Sequence, residues 1–107
     1  MSTNSPILTQ SAGRIAFGSV TGAYATLLTV AGTGATMIIN SSLDKEVVLS
    51  LNGGTNDHVY IQPGLTPASL IIDFAANDMA YSGTIQVKHT GAAPTAGVLS
   101  VLVIRKV

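Results

Sequence analysis

Side chains able to do chemistry are few in this 107-residue chain. Its imidazoles are His58 and His89, and Asp57 stands next to His58, which raises a carboxylate–imidazole pair. A nucleophilic triad would also need a serine on a strained turn beside an oxyanion hole, and no G-x-S-x-G occurs. Two histidines with no third ligand at a regular spacing make a poor zinc site. The stretch Asn52–Asp57 (NGGTND) holds oxygen ligands of the kind calcium takes, at Asn52, Asn56 and Asp57. It lacks the EF-hand spacing and its closing Glu. Asn and Asp also favour such places because they tolerate turn conformations and bond their own backbone, and turn chemistry is the preferred reading. Gly53–Gly54 is no phosphate loop, since no Lys-Ser/Thr follows. Asp44, Asp57, Asp73 and Asp78 fall in separate loops or strands, so no carboxylate pair for glycosidase work is set up. Tyr60 and Tyr81 are candidates for a sugar platform, but aromatics make up 5% of the chain and Trp is absent. The expectation is a non-enzymatic protein with no catalytic residue, cofactor site or metal site.

The elements that would position these groups are strands. Glu46–Gln62 (EVVLSLNGGTNDHVYIQ) alternates Val47, Leu49 and Leu51 with Glu46, Val48 and Ser50. It turns at NGGTND, then alternates Val59 and Ile61 with His58, Tyr60 and Gln62. That is the sequence form of a β-hairpin. Around it, strands are expected at Arg14–Val20 (Ile15 and Phe17 on one face), Tyr24–Val30, Ala35–Asn40, Ser69–Phe74, Thr84–His89 and Val98–Lys106. Ala31–Gly34 (AGTG) is expected to turn the chain. No window holds helical periodicity. The expected fold is therefore all-β: a single small β-sandwich or jelly-roll-like barrel of about eight antiparallel strands. It would span residues 14–107, preceded by an extended polar arm over residues 1–13 whose apolar pair is Ile7–Leu8.

Charge sharpens the reading. Only 9% of residues are charged, five acidic against five basic, while 47% are apolar. Soluble domains average about 25% charged residues. Scattered Lys and Arg give no track for a phosphate backbone, so no nucleic-acid partner is expected. No apolar run reaches a membrane-spanning length, and Met1–Asn4 does not open a signal peptide. The chain has no cysteine. An uncharged, apolar-rich domain points to surface that other protein covers. The last strand, VLSVLVIRK, is apolar on both faces: Leu99, Val101 and Val103 on one, Val98, Leu102 and Ile104 on the other. Such runs mean burial on both sides. Val48 and Ile71 are apolar on otherwise polar strand faces. The expected interface set is thus Ile7, Leu8, Val48, Ile71, Val98, Leu102 and Ile104.

Two blocks carry a resemblance: INSSLDKEVVLSLNGGTNDHVYIQPG (Ile39–Gly64) and YSGTIQVKHTGAAPTAGVLSVLVIRKV (Tyr81–Val107), supported by SVTGAYATL (Ser19–Leu27). Together they resemble small all-β virion proteins of tailed bacteriophages. That group's hairpin reads V-x-S-x-[ND]-G-G-T-x-D-x and is followed by a G-T-I-x-V-K-x-x-G-A-A-P strand and loop. Asn52 stands where Asp is frequent. The resemblance implies a capsid decoration or cement protein that associates with itself, as dimer or trimer, and with a major capsid protein. It implies residence in the virion after assembly in the bacterial cytoplasm. A neck or tail component of the same particle is the alternative, and a carbohydrate-binding β-sandwich for host adhesion is a further one.

Overall fold

The structure, a computed structural model, describes residues 7–63, 68–74 and 81–106. Its strands are β1 (Ile7–Ala16), β2 (Ala25–Ser41), β3 (Val47–Ser50), β4 (Val59–Ile61), β5 (Ala68–Asp73), β6 (Tyr81–His89) and β7 (Val98–Lys106). Every ladder among them is antiparallel. Hydrogen bonding runs β1-β7-β2-β6-β3-β4, with β5 joined to β2.

The strand β2 organises this arrangement. Its first part pairs with β6 from Ala25 to Gly34. Its second part pairs with β7 from Gly34 to Ser41 and with β5 from Thr36 to Ser41. Gly34 is opposite both Tyr81 of β6 and Arg105 of β7, so the ladder changes partner at that residue. Only glycine fits there: an added Cβ would come within 2.9 Å of the Tyr81 carbonyl and 3.0 Å of Val103 Cγ1. The AGTG segment was expected to reverse the chain. It keeps extended backbone instead, and a register shift between Val30 and Gly34 lets β2 bend rather than turn. Two expected strands are therefore one, and seven strands lie among the described residues.

The bend folds the sheet over itself. One half is β2 (first part), β6, β3 and β4; the other is β1, β7, β2 (second part) and β5. Their inward residues meet in one buried cluster. Val47, Leu49, Ile61, Ile85 and Val87 come from the first half, and Ile15, Met37, Ile39, Leu99, Val101 and Val103 from the second. This is the sandwich the alternation predicts, made from a single continuous sheet.

Three expectations are corrected. The boundary at residues 13/14 is absent, because β1 runs across it from Ile7 to Ala16 and pairs with β7 on both sides of it. Residues 7–13 are extended, as an arm would be, but they lie along the chain's own last strand. Gly13 passes so close to β2 that any Cβ there would strike the Leu27 carbonyl. Phe17 is not inward beside Ile15; β1 ends at Ala16, and Phe17–Ser19 form a 3-10 turn with Phe17 41% exposed. Finally, β6 begins at Tyr81 instead of Thr84. Residues 1–6, 64–67, 75–80 and 107 lie outside the described residues.

Candidate functional site

The hairpin loop uses its own oxygens. Ser50 Oγ, fully buried, accepts the Gly54 N–H at 2.9 Å and donates to Asn52 Oδ1 at 2.9 Å. Asn52 Oδ1 also accepts the Asn56 N–H at 3.0 Å, and Asn52 Nδ2 donates to Asn56 Oδ1 at 2.8 Å. Gly53 and Gly54 take φ of 71° and 91°, the left-handed conformation that glycine adopts without strain. The side chains considered as calcium ligands are thus closing the turn. Asp57 points elsewhere, and His58 Nδ1 accepts the Leu51 N–H at 2.9 Å. The two neighbours do not form a carboxylate–imidazole pair. His89 sits at the end of β6, its backbone N–H bonded to Thr21 O. No group of three or more His, Asp or Glu side chains suited to a metal occurs among the described residues.

Asp57 instead anchors a cluster on the outer face of the first half-sheet. Its carboxylate accepts the Tyr24 hydroxyl, lies 3.5 Å from the Tyr60 hydroxyl, and is 3.8 Å from Lys88 Nζ. Lys88 Nζ also stands 4.6 Å from the centre of the Tyr24 ring, a cation–π contact. Burial first, and the Asp57 carboxylate next, hold the Tyr24 phenol well above its usual range. The Tyr24 hydroxyl, in turn, lowers Asp57. Val48 lies between Lys88 and Tyr60 on neighbouring strands and is fully buried. The flanking side chains, drawn together on Asp57, roof it. Val48 is therefore withdrawn from the expected interface set: its cover is supplied by its own chain.

The rest of this outer face is polar and internally bonded. Thr90 Oγ1 donates to Glu46 Oε1 at 2.5 Å, Gln62 donates to the other Glu46 oxygen, and Gln86 Nε2 donates to Thr26 Oγ1 at 3.0 Å. Tyr81 is no platform residue. Its hydroxyl donates to Leu51 O at 2.5 Å and its ring stacks on Phe74 at 5.3 Å.

The outer face of the second half-sheet is different in kind. Register aligns Ala12 of β1, Leu102 of β7, Ile38 of β2 and Ile71 of β5 in one row across four strands. None of these four belongs to the buried cluster or packs against it. Ile71 is 63% exposed. Ile104 lies in the next row with Thr36 and Asp73. On the other side, Arg14, Ser100 and Asn40 form a polar row. Beyond it, Val98 helps line a shallow concavity of about 250 Å3 with Arg14, Asn40, Ser42 and Ser100.

Ile71, Leu102 and Ile104 of the expected set are thus neighbours on one surface, and Val98 borders it. Ile7 and Leu8 are placed in β1 by their backbone, while their side chains lie outside the described residues. Ile38 was not anticipated. The signal for it was the run Met37-Ile38-Ile39, which is apolar at both parities, as in β7.

No family model matches the chain, and no curated protein matches it significantly. Among solved structures, it is similar to a chain of Bacillus endospore appendages described as "a novel family of disulfide-linked pili". Identity is 12% and the TM-score 0.49, covering 91% of this chain and 85% of that one.

Proposed function

We propose that this chain is a non-enzymatic structural subunit of a larger protein assembly, and that its place is on the shell of a tailed bacteriophage as a decoration or cement protein. The observation that carries the reading is the contrast between the two outer faces. One closes its polar groups on one another, and its apolar residue Val48 is fully buried. The other carries Leu102, Ile38 and Ile71 in an unbroken row, the first two half-buried and Ile71 63% exposed. Water is a poor partner for such a row. Covering the exposed part of Ile71 alone is worth about 1–2 kcal/mol. The resemblance of the hairpin and last-strand blocks to virion proteins supplies the kind of assembly.

The mechanism is mechanical. A subunit seated across neighbouring shell proteins buries apolar area that must be re-exposed if the shell opens, and symmetry repeats the contact at every equivalent position. The test is retention on particles of the phage whose genome carries the sequence. Wild type is expected on the shell in many copies, and Ile71→Lys is expected to be lost from it while keeping its fold. A chain absent from purified particles, or a variant retained as well as wild type, refutes the proposal.

A further inference from the structure

The turn between β3 and β4 holds a reactive pair. Asn-Gly occurs once in the chain, at Asn52–Gly53, while Asn4, Asn40, Asn56 and Asn77 are each followed by Ser or Asp. A side-chain amide followed by glycine is open to attack by the next backbone nitrogen, because no Cβ obstructs the approach. A base removes the Gly53 N–H proton, and the nitrogen attacks Asn52 Cγ. The N–Cγ bond forms, the Cγ–Nδ2 bond breaks, and Nδ2 leaves as ammonia, taking up the proton that the base removed. Water then opens the cyclic imide, adding its OH to either ring carbonyl and its H to nitrogen. The product is aspartate, or isoaspartate where the main chain comes to run through the former side-chain carbon. Asn52 and Gly53 are exposed, so water reaches them in the folded chain.

The fold restrains both reacting groups. Gly53 N–H donates to Thr84 O at 3.0 Å, so the proton that must leave is held by a carbonyl too weakly basic to take it. The Asn52 amide is held at both ends by Asn56: Nδ2 donates to Asn56 Oδ1 at 2.8 Å, and Oδ1 accepts the Asn56 N–H at 3.0 Å. The buried Ser50 hydroxyl adds a third bond, to Asn52 Oδ1 at 2.9 Å. Ring closure needs the amide to leave these bonds and Gly53 to leave Thr84. We propose that Asn52 is a deamidation site guarded by the native turn, so that the reaction proceeds only in copies whose hairpin has opened. Its rate then follows the open fraction. The product also closes less well. A carboxylate has no N–H to offer Asn56 Oδ1 and sets oxygen against oxygen there, and isoaspartate adds a carbon to the main chain between β3 and β4. Each opening that ends in reaction thus leaves a permanent mark on the copy that opened. This holds whether or not protein covers the second half-sheet, so it stands apart from the proposed function.

Peptide mass spectrometry of the full chain, incubated at mildly alkaline pH, tests this in buffer and in guanidinium chloride sufficient to unfold it. In denaturant, Asn52 is expected to be the first asparagine to gain the mass that replacing NH2 by OH brings. In buffer its rate is expected to be at least about tenfold lower, since the hydrogen bonds of the turn must break first. That comparison uses the wild-type chain alone. Asn56→Ala, at an exposed position, removes the acceptor for Asn52 Nδ2. With its fold confirmed by circular dichroism, it is expected to raise the rate in buffer about threefold and to leave the rate in denaturant unchanged. Matching rates in buffer and denaturant overturn the guard. First modification at another asparagine in denaturant overturns the assignment of the site. A folded Asn56→Ala chain that reacts no faster than wild type refutes the part given to the amide's own bonds.

Discussion

Leu99 and Leu102 allow one substitution to be made on opposite faces of the same strand. Leu99 is fully buried in the cluster shared by the two half-sheets, with Ile15 and Ser41 as its ladder neighbours. Leu102 is half-buried on the outer row between Ala12 and Ile38. Leu99→Ala removes apolar contacts and leaves a cavity that the surrounding strands can fill only in part, because β7 is held by ladders to β1 and β2 on its two sides. A loss of about 2.5–5 kcal/mol follows. A domain of this size has a total stability on the order of 5–15 kcal/mol, so the substitution removes a large share of it. Leu102→Ala opens no enclosed space, and its cost is limited to strand preference and surface contacts, below about 1 kcal/mol.

Urea unfolding followed by circular dichroism measures both. The protein must be dilute enough that self-association adds nothing to apparent stability. With a urea slope of about 1–3 kcal/mol per molar, Leu99→Ala is expected to lower the midpoint by at least about 1 M, and Leu102→Ala by a small fraction of that. The slope itself should not change. Particle retention reverses the order: Leu102→Ala weakens it, while Leu99→Ala affects it only through the amount of folded protein. Equal losses of stability at the two positions would mean that β7 is covered on both sides within one chain, and the interaction face would disappear with that result.

Gly97 takes a φ of 99°, and a Cβ there would run into the Ser42 carbonyl. Ser42 is fixed in place, since its N–H bonds Val98 O at 2.8 Å and its Oγ accepts the Val98 N–H at 2.9 Å. Gly97→Ala is therefore expected to cost at least about 2 kcal/mol in the same unfolding assay, and a change under half of that would show the loop able to yield. Asp44 holds the 95–96 turn: Oδ1 accepts the Thr95 N–H at 2.8 Å and the Ala96 N–H at 3.3 Å, while Oδ2 accepts the Thr95 hydroxyl. These bonds, the Thr95 hydroxyl foremost, lower its carboxyl to about 2. A depressed carboxyl stabilises the fold above its unfolded value and loses that contribution as pH falls through the folded one. Melting temperature should thus drop between about pH 4 and about pH 2. Asp44→Asn should flatten that slope, and parallel curves for the two proteins would remove Asp44 from the acid response.

How far the fold was legible in the sequence follows from what each signal measures. Alternation is local, so it found β3, β4, β5 and β7 within a few residues. It also gave the parity of Ile85, Val87, Leu99, Val101 and Val103, all of which are buried. Small residues are ambiguous. AGTG satisfies a tight turn and a bend alike, and only the exchange of partners at Gly34 decides for the bend. Residues 7–13, expected to belong to an arm, are strand for a related reason. Ser, Thr and Gly read as loop, yet Gly13 is needed because β1 passes against β2 there. The fate of Val48 was beyond reach, since it depends on Tyr24 and Asp57, 33 positions apart, meeting over a neighbouring strand. Double-sided apolarity found the outer residues; it could not tell a residue roofed by its own chain from one left open.

That distinction bears on β5 more than on any other element. Among the described residues it pairs with β2 alone, so one side of its backbone is an open edge. Leu70 is 42% exposed on its inner face and Ile71 is 63% exposed on its outer face. Monomeric β proteins protect an edge strand with charge, proline or a bulge, because an apolar open edge recruits other chains. Among the described residues of β5, the charged one is Asp73, at the strand's last position. Another edge strand, β4, sits in a half-sheet whose outer face closes on Asp57 and Glu46. Had the chain been selected to remain alone, the same treatment would be expected at β5 as at β4, and charge is scarce on β5. An element left apolar on both faces and open along its side is stabilised when a neighbour arrives, so assembly would complete β5 as much as it would cover Leu102 and Ile38.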